Sequence, residues 1–200
     1  MKKLIFILIL AVIAGSAFCK TITVTSSADS GVGTLRQAVT DADVNDSIVF
    51  NDSITSITLS TVIRLEKNIT ISGDKNNTTT ILAPNSRHFI LPDMTGIGNP
   101  VRAGLNNLTL KDGYFYTCGG SIYNRKGNAL ALNNCFFINN KAGDFAGAIQ
   151  NAGLLNINNC LFNNNTCNLN GIGAISNGGE SYINNTKFTN NEGSSEGSIC

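Results

Sequence analysis

The stretch that decides the fold of this chain covers residues 147–165 and reads GAIQNAGLLNINNCLFNNN. It contains a Gly-Ala-Ile-x-Asn segment, a short alternation of apolar residues with asparagine, and a Phe-x-x-Asn segment. Related segments recur on both sides of it with a period of 24 to 27 residues. Because such periods are typical of stacked repeats, the sequence predicts a repeat architecture.

Five series of equivalent residues define the repeat. Two series are apolar, and asparagine dominates the other three. The series are Ile122, Ile149, Ile175 and Ile199; Leu110, Phe137, Phe162 and Phe188; Asn107, Asn134, Asn159 and Asn185; Asn124, Asn151 and Asn177; and Gly113, Asn140, Asn165 and Asn191. A disordered asparagine-rich tract would not keep isoleucine and phenylalanine in register, so we expect an ordered structure.

The pattern within each unit indicates β-strands. Residues 155–158 alternate apolar and polar, which favours a strand because a helix needs apolar residues three and four apart. A strand-rich unit of this length cannot cover its own apolar face and must stack on its neighbours. We therefore predict an all-β fold, a parallel β-helix (solenoid), in which identical residues stack and rows of buried asparagine satisfy one another's amides.

The N-terminal part differs from the repeats. Residues 21–25 alternate as a strand, and a capping box of Thr34 and Gln37 precedes one amphipathic helix over residues 35–42. We expect this short helix to cover the open end of the first coil, and we interpret Arg36 as structural or solvated rather than ligand-binding. The apolar face of the predicted helix consists of Leu35, Ala38, Val39 and Ala42.

The first residues resemble a secretory signal. Two lysines, an apolar run over residues 4–15 and small residues before Lys20 have the layout of a cleavable signal, and the run is too short to span a bilayer. A lipid-modified Cys19 is the alternative to ordinary cleavage. We predict a signal peptide (1–19), an N-terminal cap (20–50) and β-helix coils (51–200), which we expect to continue beyond this sequence.

Composition and cysteine positions limit the functional classes. The formal net charge is +1, which gives no electrostatic argument for nucleic acid. One histidine and no paired Cys-x-x-Cys motif give no metal site, and we expect no cofactor. Cys135 and Cys160 each lie two residues before a core phenylalanine, so we expect buried thiols rather than a disulfide. The redox states of Cys118, Cys167 and Cys200 stay open.

Two motifs resemble a known group of exported proteins. Residues 33–38, GTLRQA, are similar to the S-L-R-E-A-I cap motif of exported right-handed β-helix proteins. Residues 119–124, GGSIYN, and 137–140, FINN, resemble the G-G-A-I and F-x-x-N repeats of polymorphic outer membrane proteins and related adhesin-like proteins. The resemblance implies right-handed coiling, secretion or cell-surface display, adhesion, and attachment to an outer membrane through a C-terminal anchor outside these residues.

The competing functional class is a polysaccharide lyase or glycoside hydrolase of the pectate-lyase-like type. Such enzymes need converging carboxylates, but the repeat aligns Asp144 with Leu169 and Ser195. Three acids in the less regular coils, Asp74, Asp93 and Asp112, could still approach one another. We expect a role without catalytic residues, either adhesin-like binding or a structural spacer, and keep the enzyme as the alternative.

Three consecutive aromatic residues form the candidate binding patch. Tyr114, Phe115 and Tyr116 follow Gly113 in a loop-like stretch where strand packing does not demand them. They either cover the flank of the solenoid beside an insertion or bind a partner. The expected partner is a component of a host or neighbouring cell surface, with carbohydrate as one candidate.

Overall fold

The computed structural model describes residues 19–76, 79–93, 98–169, 171–195, 197 and 199. It is a parallel β-solenoid of about six coils, with 4% helix. The predicted all-β, parallel, stacked architecture with one short cap-like helix is thus confirmed, whereas its handedness stays a prediction. All but the last residue of the predicted signal peptide lie outside the described residues.

The elements follow the chain in a regular order. They are β1 (Thr21–Val24), α1 (Leu35–Asp41), β2 (Ser47–Phe50), β3 (Ser56–Thr58), β4 (Ile63–Arg64), β5 (Thr70–Ser72), β6 (Thr80–Leu82), β7 (Phe89–Leu91), β8 (Arg102–Asn106), β9 (Thr109–Lys111), β10 (Tyr114–Phe115), β11 (Ile122–Asn124), β12 (Ala129–Asn133), β13 (Phe136–Ile138), β14 (Lys141–Ala142), β15 (Ile149–Asn151), β16 (Leu154–Asn158), β17 (Leu161–Asn163), β18 (Thr166–Cys167), β19 (Ile175–Asn177), β20 (Glu180–Asn184) and β21 (Lys187–Thr189).

These strands form four parallel sheets along the solenoid axis. Sheet A has the order β1-β2-β5-β8-β12-β16-β20, sheet B β21-β17-β13-β9-β6-β3, sheet C β19-β15-β11-β7-β4, and sheet D β10-β14-β18. The first and second coils visit sheets A, B and C in turn. The third, fourth and fifth coils insert a strand of sheet D between sheets B and C, so the circumference of the solenoid increases at the third coil.

The register between coils stacks identical apolar residues in the core. Ile149 pairs with Ile122 on one side and with Ile175 on the other. The rings of Phe137 and Phe162 lie 4.6 Å apart and nearly parallel, and Phe188 continues the stack at 4.9 Å from Phe162. The two apolar series identified in the sequence therefore form continuous internal columns.

Buried asparagines form a second kind of column. The Asn165 side-chain oxygen accepts bonds from the backbone amide and the side-chain amide of Asn140, at 3.0 and 2.9 Å. The Asn165 amide group donates in turn to Asn191 at 2.9 Å and to the Phe137 carbonyl. A parallel column joins Asn124, Asn151 and Asn177. The prediction that these rows satisfy their own amides is confirmed, apart from one oxygen considered below.

Asparagine also builds the corners between strands. Eight corner residues adopt a left-handed backbone with φ between 44° and 56°, a conformation that asparagine and aspartate tolerate better than most residues. They are Asn107, Asn134, Asn159 and Asn185 between sheets A and B, and Asp112, Asn139, Asn164 and Asn190 after sheet B. The abundance of asparagine thus has a geometric cause.

The helix packs against the first strands as expected of a cap. Leu35, Ala38 and Val39 are buried, and the helix ends at Asp41 with Ala42 as its C-cap. The Thr34 hydroxyl accepts from the Gln37 amide at 3.2 Å, but the Gln37 side chain donates to the Asp41 carboxylate instead. The reciprocal half of the predicted capping box is therefore absent, and the Thr34 amide donates to the Gly31 carbonyl at 3.5 Å instead.

Two basic side chains fasten the helix to the first coil. Arg36 pairs with Asp29 at 2.6 Å and donates to the carbonyls of Thr61 and Val62. Lys67 donates to the Ala42 carbonyl at 2.6 Å, which satisfies an acceptor at the helix C-terminus. Arg36 is thus structural, as interpreted from the sequence.

The aromatic column predicts a large cost for removing its central ring. Replacing Phe162 with Ala should lower the free energy of unfolding by about 3–5 kcal/mol, because the rings above and below hold a cavity open. Replacing it with Leu should cost less than half as much, since most of the volume is kept. Equilibrium denaturation measures both variants. An Ala variant as stable as the wild type would contradict the internal column.

Candidate functional site

The predicted aromatic patch lies at the step where the solenoid widens. β10, which contains Tyr114 and Phe115, is the first strand of sheet D. The second coil passes below it through residues 83–88 without a strand. The Tyr114 amide donates to the carbonyls of Ser86 and Ala83, at 2.9 and 3.3 Å, which closes the edge of the sheet. The patch therefore does stand beside an insertion.

The three aromatic side chains differ in exposure. Tyr116 is 70% exposed and Tyr114 is 40% exposed, whereas Phe115 is partly buried. The rings of Phe115 and Tyr116 lie 4.9 Å apart with an interplanar angle of 30°. Phe115 thus anchors the patch, while both tyrosines offer ring surface to a partner.

A buried arginine lies against the anchoring ring. The guanidinium carbon of Arg87 is 3.7 Å from the centre of the Phe115 ring and 5.4 Å from that of Tyr123. Arg87 is only 3% exposed, and its Nη2 donates to the Cys118 carbonyl at 2.8 Å. Burial lowers the pKa of the Arg87 guanidinium, and nearby Arg125 acts in the same direction, but an arginine stays charged at neutral pH.

Arg87 lacks a counter-charge within the described part of the chain. No carboxylate there lies within 4.0 Å of its guanidinium nitrogens, and its buried Nε has no hydrogen-bond acceptor. A buried charge without a paired carboxylate is costly. Contact with the negative faces of two aromatic rings offsets part of that cost.

The contacts continue into one connected group. A second guanidinium, that of Arg125, lies 5.0 Å from the centre of the Tyr123 ring. We call Arg125, Tyr123, Arg87, Phe115 and Tyr116 the arginine–aromatic ladder, since cations and rings alternate along it until the final pair of rings. Its two ends, Arg125 and Tyr116, are exposed.

The loops that follow sheet D stack along the same flank. We call the segments that connect sheets D and C in successive coils the corner loops. Their described residues are 116–120, 143–147, and 168–169 with 171–173. Backbone bonds join them: the Leu169 amide donates to the Gly143 carbonyl at 3.0 Å, and the Ile172 amide to the Phe145 carbonyl at 2.8 Å. Each loop exposes one large side chain, namely Tyr116, Phe145 and Leu169, at 70%, 51% and 62%.

The acids of the irregular coils belong to three different corners. Asp74 follows β5 of sheet A, Asp112 follows β9 of sheet B, and Asp93 follows β7 of sheet C. The fold therefore does not assemble the three residues into one site. Asp74 does share a cavity of about 480 Å³ with Asp52 and Lys75. Among the residues described, no cluster of three or more metal-ligating side chains occurs.

The two core cysteines are thiols, as predicted. Cys135 and Cys160 are both unbridged and buried in adjacent coils, where the Cys135 amide donates to the Cys160 sulfur at 3.4 Å. A side-chain hydrogen bond between the two thiols, together with burial, raises the pKa of Cys135 well above its ordinary value. Cys118 and Cys167 are also free thiols, whereas Cys200 lies outside the described residues.

Comparisons with known proteins leave the fold and the site as the basis for assigning function. No family model matches the chain, and neither curated proteins nor solved structures show significant similarity to it. Over the described residues, no helix is long and apolar enough to cross a membrane.

A buried histidine lies beneath the ladder, next to Arg87. His88 Nε2 donates to the Ile81 and Lys111 carbonyls at 2.8 and 3.2 Å, and Nδ1 accepts from the Ser121 hydroxyl at 3.0 Å. These bonds fit a neutral ring that carries its proton on Nε2. Complete burial disfavours the charged form and lowers the pKa of His88 to about 4.

His88 should make stability pH-dependent. Between about pH 6.5 and pH 4 the unfolded chain binds a proton at this residue that the native state does not, so stability falls as pH falls through this window. We expect a loss of about 2–3 kcal/mol from this group, measured by denaturation at pH 7 and pH 4.5. His88→Gln should flatten the profile. An unchanged profile in the variant would contradict the buried neutral histidine.

Proposed function

We propose that this protein is an exported, non-catalytic binding protein with an adhesin-like role, which presents the corner-loop flank to a component of a host or neighbouring cell surface. The observation that carries the proposal is the exposure of Tyr116, Phe145 and Leu169, one from each of three stacked loops, beside the arginine–aromatic ladder. Exposed aromatic and arginine side chains are the residues that most often dominate binding interfaces.

The flank is suited to binding because its loops are held in place. Each corner loop hydrogen-bonds to the next, and Phe115 is fixed between Arg87 and Tyr116. Pre-ordered side chains lose little conformational entropy when a partner binds, so their contacts contribute more fully to affinity. A purely structural spacer would need the stacked coils but not these exposed side chains.

Export and surface display rest on the sequence. The apolar run over residues 4–15 with its preceding lysines supports secretion, and the cap and repeat motifs resemble those of polymorphic outer membrane and adhesin-like proteins. Display on a cell surface, with an anchor supplied outside these residues, is the corresponding localisation. The solenoid would then hold the flank away from the membrane.

The enzyme alternative has one specific location. Asp52 and Asp74 line the same cavity as Lys75, a combination of two carboxylates and a base that a lyase or hydrolase could use. However, Asp74 is engaged in its own turn, where its carboxylate accepts from the Asn76 amide at 2.6 Å. A turn-forming role accounts for that position, so the binding function is favoured.

A comparison of surface variants tests the binding function. Labelled protein is applied to cultured epithelial cells and to a glycan array, and the variant with both Tyr116→Ala and Phe145→Ala is compared with the wild type. We expect apparent affinity to fall by about tenfold or more, since each aromatic anchor contributes about 1 kcal/mol or more. The matched control is Tyr182→Ala, because Tyr182 is 59% exposed on sheet A.

Two results would contradict the proposal. One is unchanged binding by the Tyr116 and Phe145 variant, or an equal loss in the Tyr182 control. The other is release of product from pectin-like or other acidic polysaccharides, with or without calcium, that Asp74→Asn abolishes. The second result would establish the enzyme alternative.

A further inference from the structure

We propose that the ligand of the corner-loop flank is an anionic polysaccharide, one that carries carboxylate or sulfate groups, and that the arginine–aromatic ladder is its binding site. This inference rests on the proposed binding function. It follows from three properties of this surface: positive charge on the ladder that no described carboxylate neutralises, exposed rings, and large exposed side chains on three successive coils.

The charge of the ladder is unbalanced within the described residues. Arg36 and Arg64 each form an ion pair, with Asp29 and Glu66, but no described carboxylate lies within 4.0 Å of the ladder arginines. Arg87 is buried beneath the rings. The low dielectric constant of the protein interior leaves its positive charge less screened than it would be in water. An anion on the adjacent surface would therefore be attracted, with exposed Arg125 as the group that contacts it directly.

Unsatisfied polar atoms lie at the same place. Arg87 Nε lacks an acceptor, and Gln150 Oε1, in the strand next to Tyr123, lacks a donor. Buried groups without partners are rare in native structures and destabilise the free protein. Arg87 is too buried to be a primary contact, so we assign it a positioning role: it holds Phe115 and Tyr123 and supplies positive potential.

The rings favour a sugar over a simple anion. Tyr116 and Tyr114 expose ring surface and a hydroxyl, which together suit the apolar face and the polar edge of a sugar ring. Acidic sugars combine such a face with a carboxylate or sulfate. A free inorganic anion would use the arginines but leave the exposed rings without a role.

The spread of exposed side chains over three coils favours a polymer. Successive coils are spaced by about 4.8 Å, and the corner loops carry Tyr116, Phe145 and Leu169 in three consecutive coils. The three side chains are staggered, because Tyr116 lies opposite Gly143 and Leu169 opposite Asp144. An extended polysaccharide that crosses the three coils at an angle to the axis would contact them in turn, after its anionic group has paired at the ladder. Several weak contacts made by one polysaccharide chain together give a higher overall affinity than any single contact.

The experiment measures binding of the purified protein to three immobilised polysaccharides by surface plasmon resonance. The probes are heparin, which is sulfated, polygalacturonate, which is carboxylated, and dextran, which is neutral. We expect binding to one or both polyanions, weakened at 0.5 M NaCl because salt screens exposed charges, and no binding to dextran. Preference for heparin assigns sulfate, and preference for polygalacturonate assigns carboxylate.

Charge reversal locates the site. Arg125→Glu should weaken polyanion binding by about tenfold or more, whereas Arg125→Lys should weaken it less, because lysine keeps the charge but not the planar guanidinium. The matched control is Arg102→Glu, which changes net charge equally at an exposed position on sheet A. It should change the affinity by less than about twofold. Circular dichroism confirms that the variants remain folded.

Three outcomes would overturn the inference. Equal losses in the Arg125→Glu and Arg102→Glu variants would show non-specific attraction to positive charge. Poly-glutamate is immobilised as a further probe, and tighter binding to it than to heparin and polygalacturonate would assign an acidic peptide. The protein could bind cells through Tyr116 and Phe145, bind neither polyanion, and keep its cell binding in the Arg125→Glu variant. That result would overturn the ligand assignment but not the proposed binding function. Absence of binding to cells and to all probes would overturn the proposed function as well.

Discussion

Amide groups inside this solenoid must find their hydrogen-bond partners in the next coil, and the rest of the structure depends on that constraint. Asn165 is fully buried and uses its oxygen toward Asn140 and its amide group toward Asn191. A shift of one residue between coils would break these bonds and turn the core side chains outward. The asparagine columns thereby fix the register in which Phe137 stacks on Phe162.

The columns end where the solenoid changes shape, and the candidate site forms there. In the second coil Leu91 occupies the position of Asn124, so the Asn124 oxygen has no donor. In the third coil Gly113 replaces the buried asparagine, because an added Cβ would clash with the Gly120 carbonyl oxygen and would lie 2.7 Å from the His88 ring. Below this coil sheet D stops, and Arg87 fills the space under Phe115. The ladder thus arises from an interruption of the repeat.

Features built by the regular repeat could be predicted from the sequence, whereas a residue placed by the interruption of the repeat could not. The repeat period equals one coil, so equivalent residues such as Ile122 and Ile149 could be matched directly, and their register is confirmed. The run of Tyr114 to Tyr116 was visible as a local cluster. Arg87 was not, because the second coil lacks the Gly-x-Ile-x-Asn segment that would have aligned it with the third. The observed pairing of β7 with β11 and the bond from the His88 amide to the Ser121 carbonyl reveal that alignment.

A double-mutant cycle on Asn140 and Asn165 tests the central claim most directly. The free energy of unfolding is measured for Asn140→Ala, Asn165→Ala and the double variant. Each single change leaves the other side chain without a buried partner, so we predict a coupling energy of about 1–3 kcal/mol, with the double variant destabilised less than the sum. Additive losses, within about 0.5 kcal/mol, would contradict an asparagine column that sets the register.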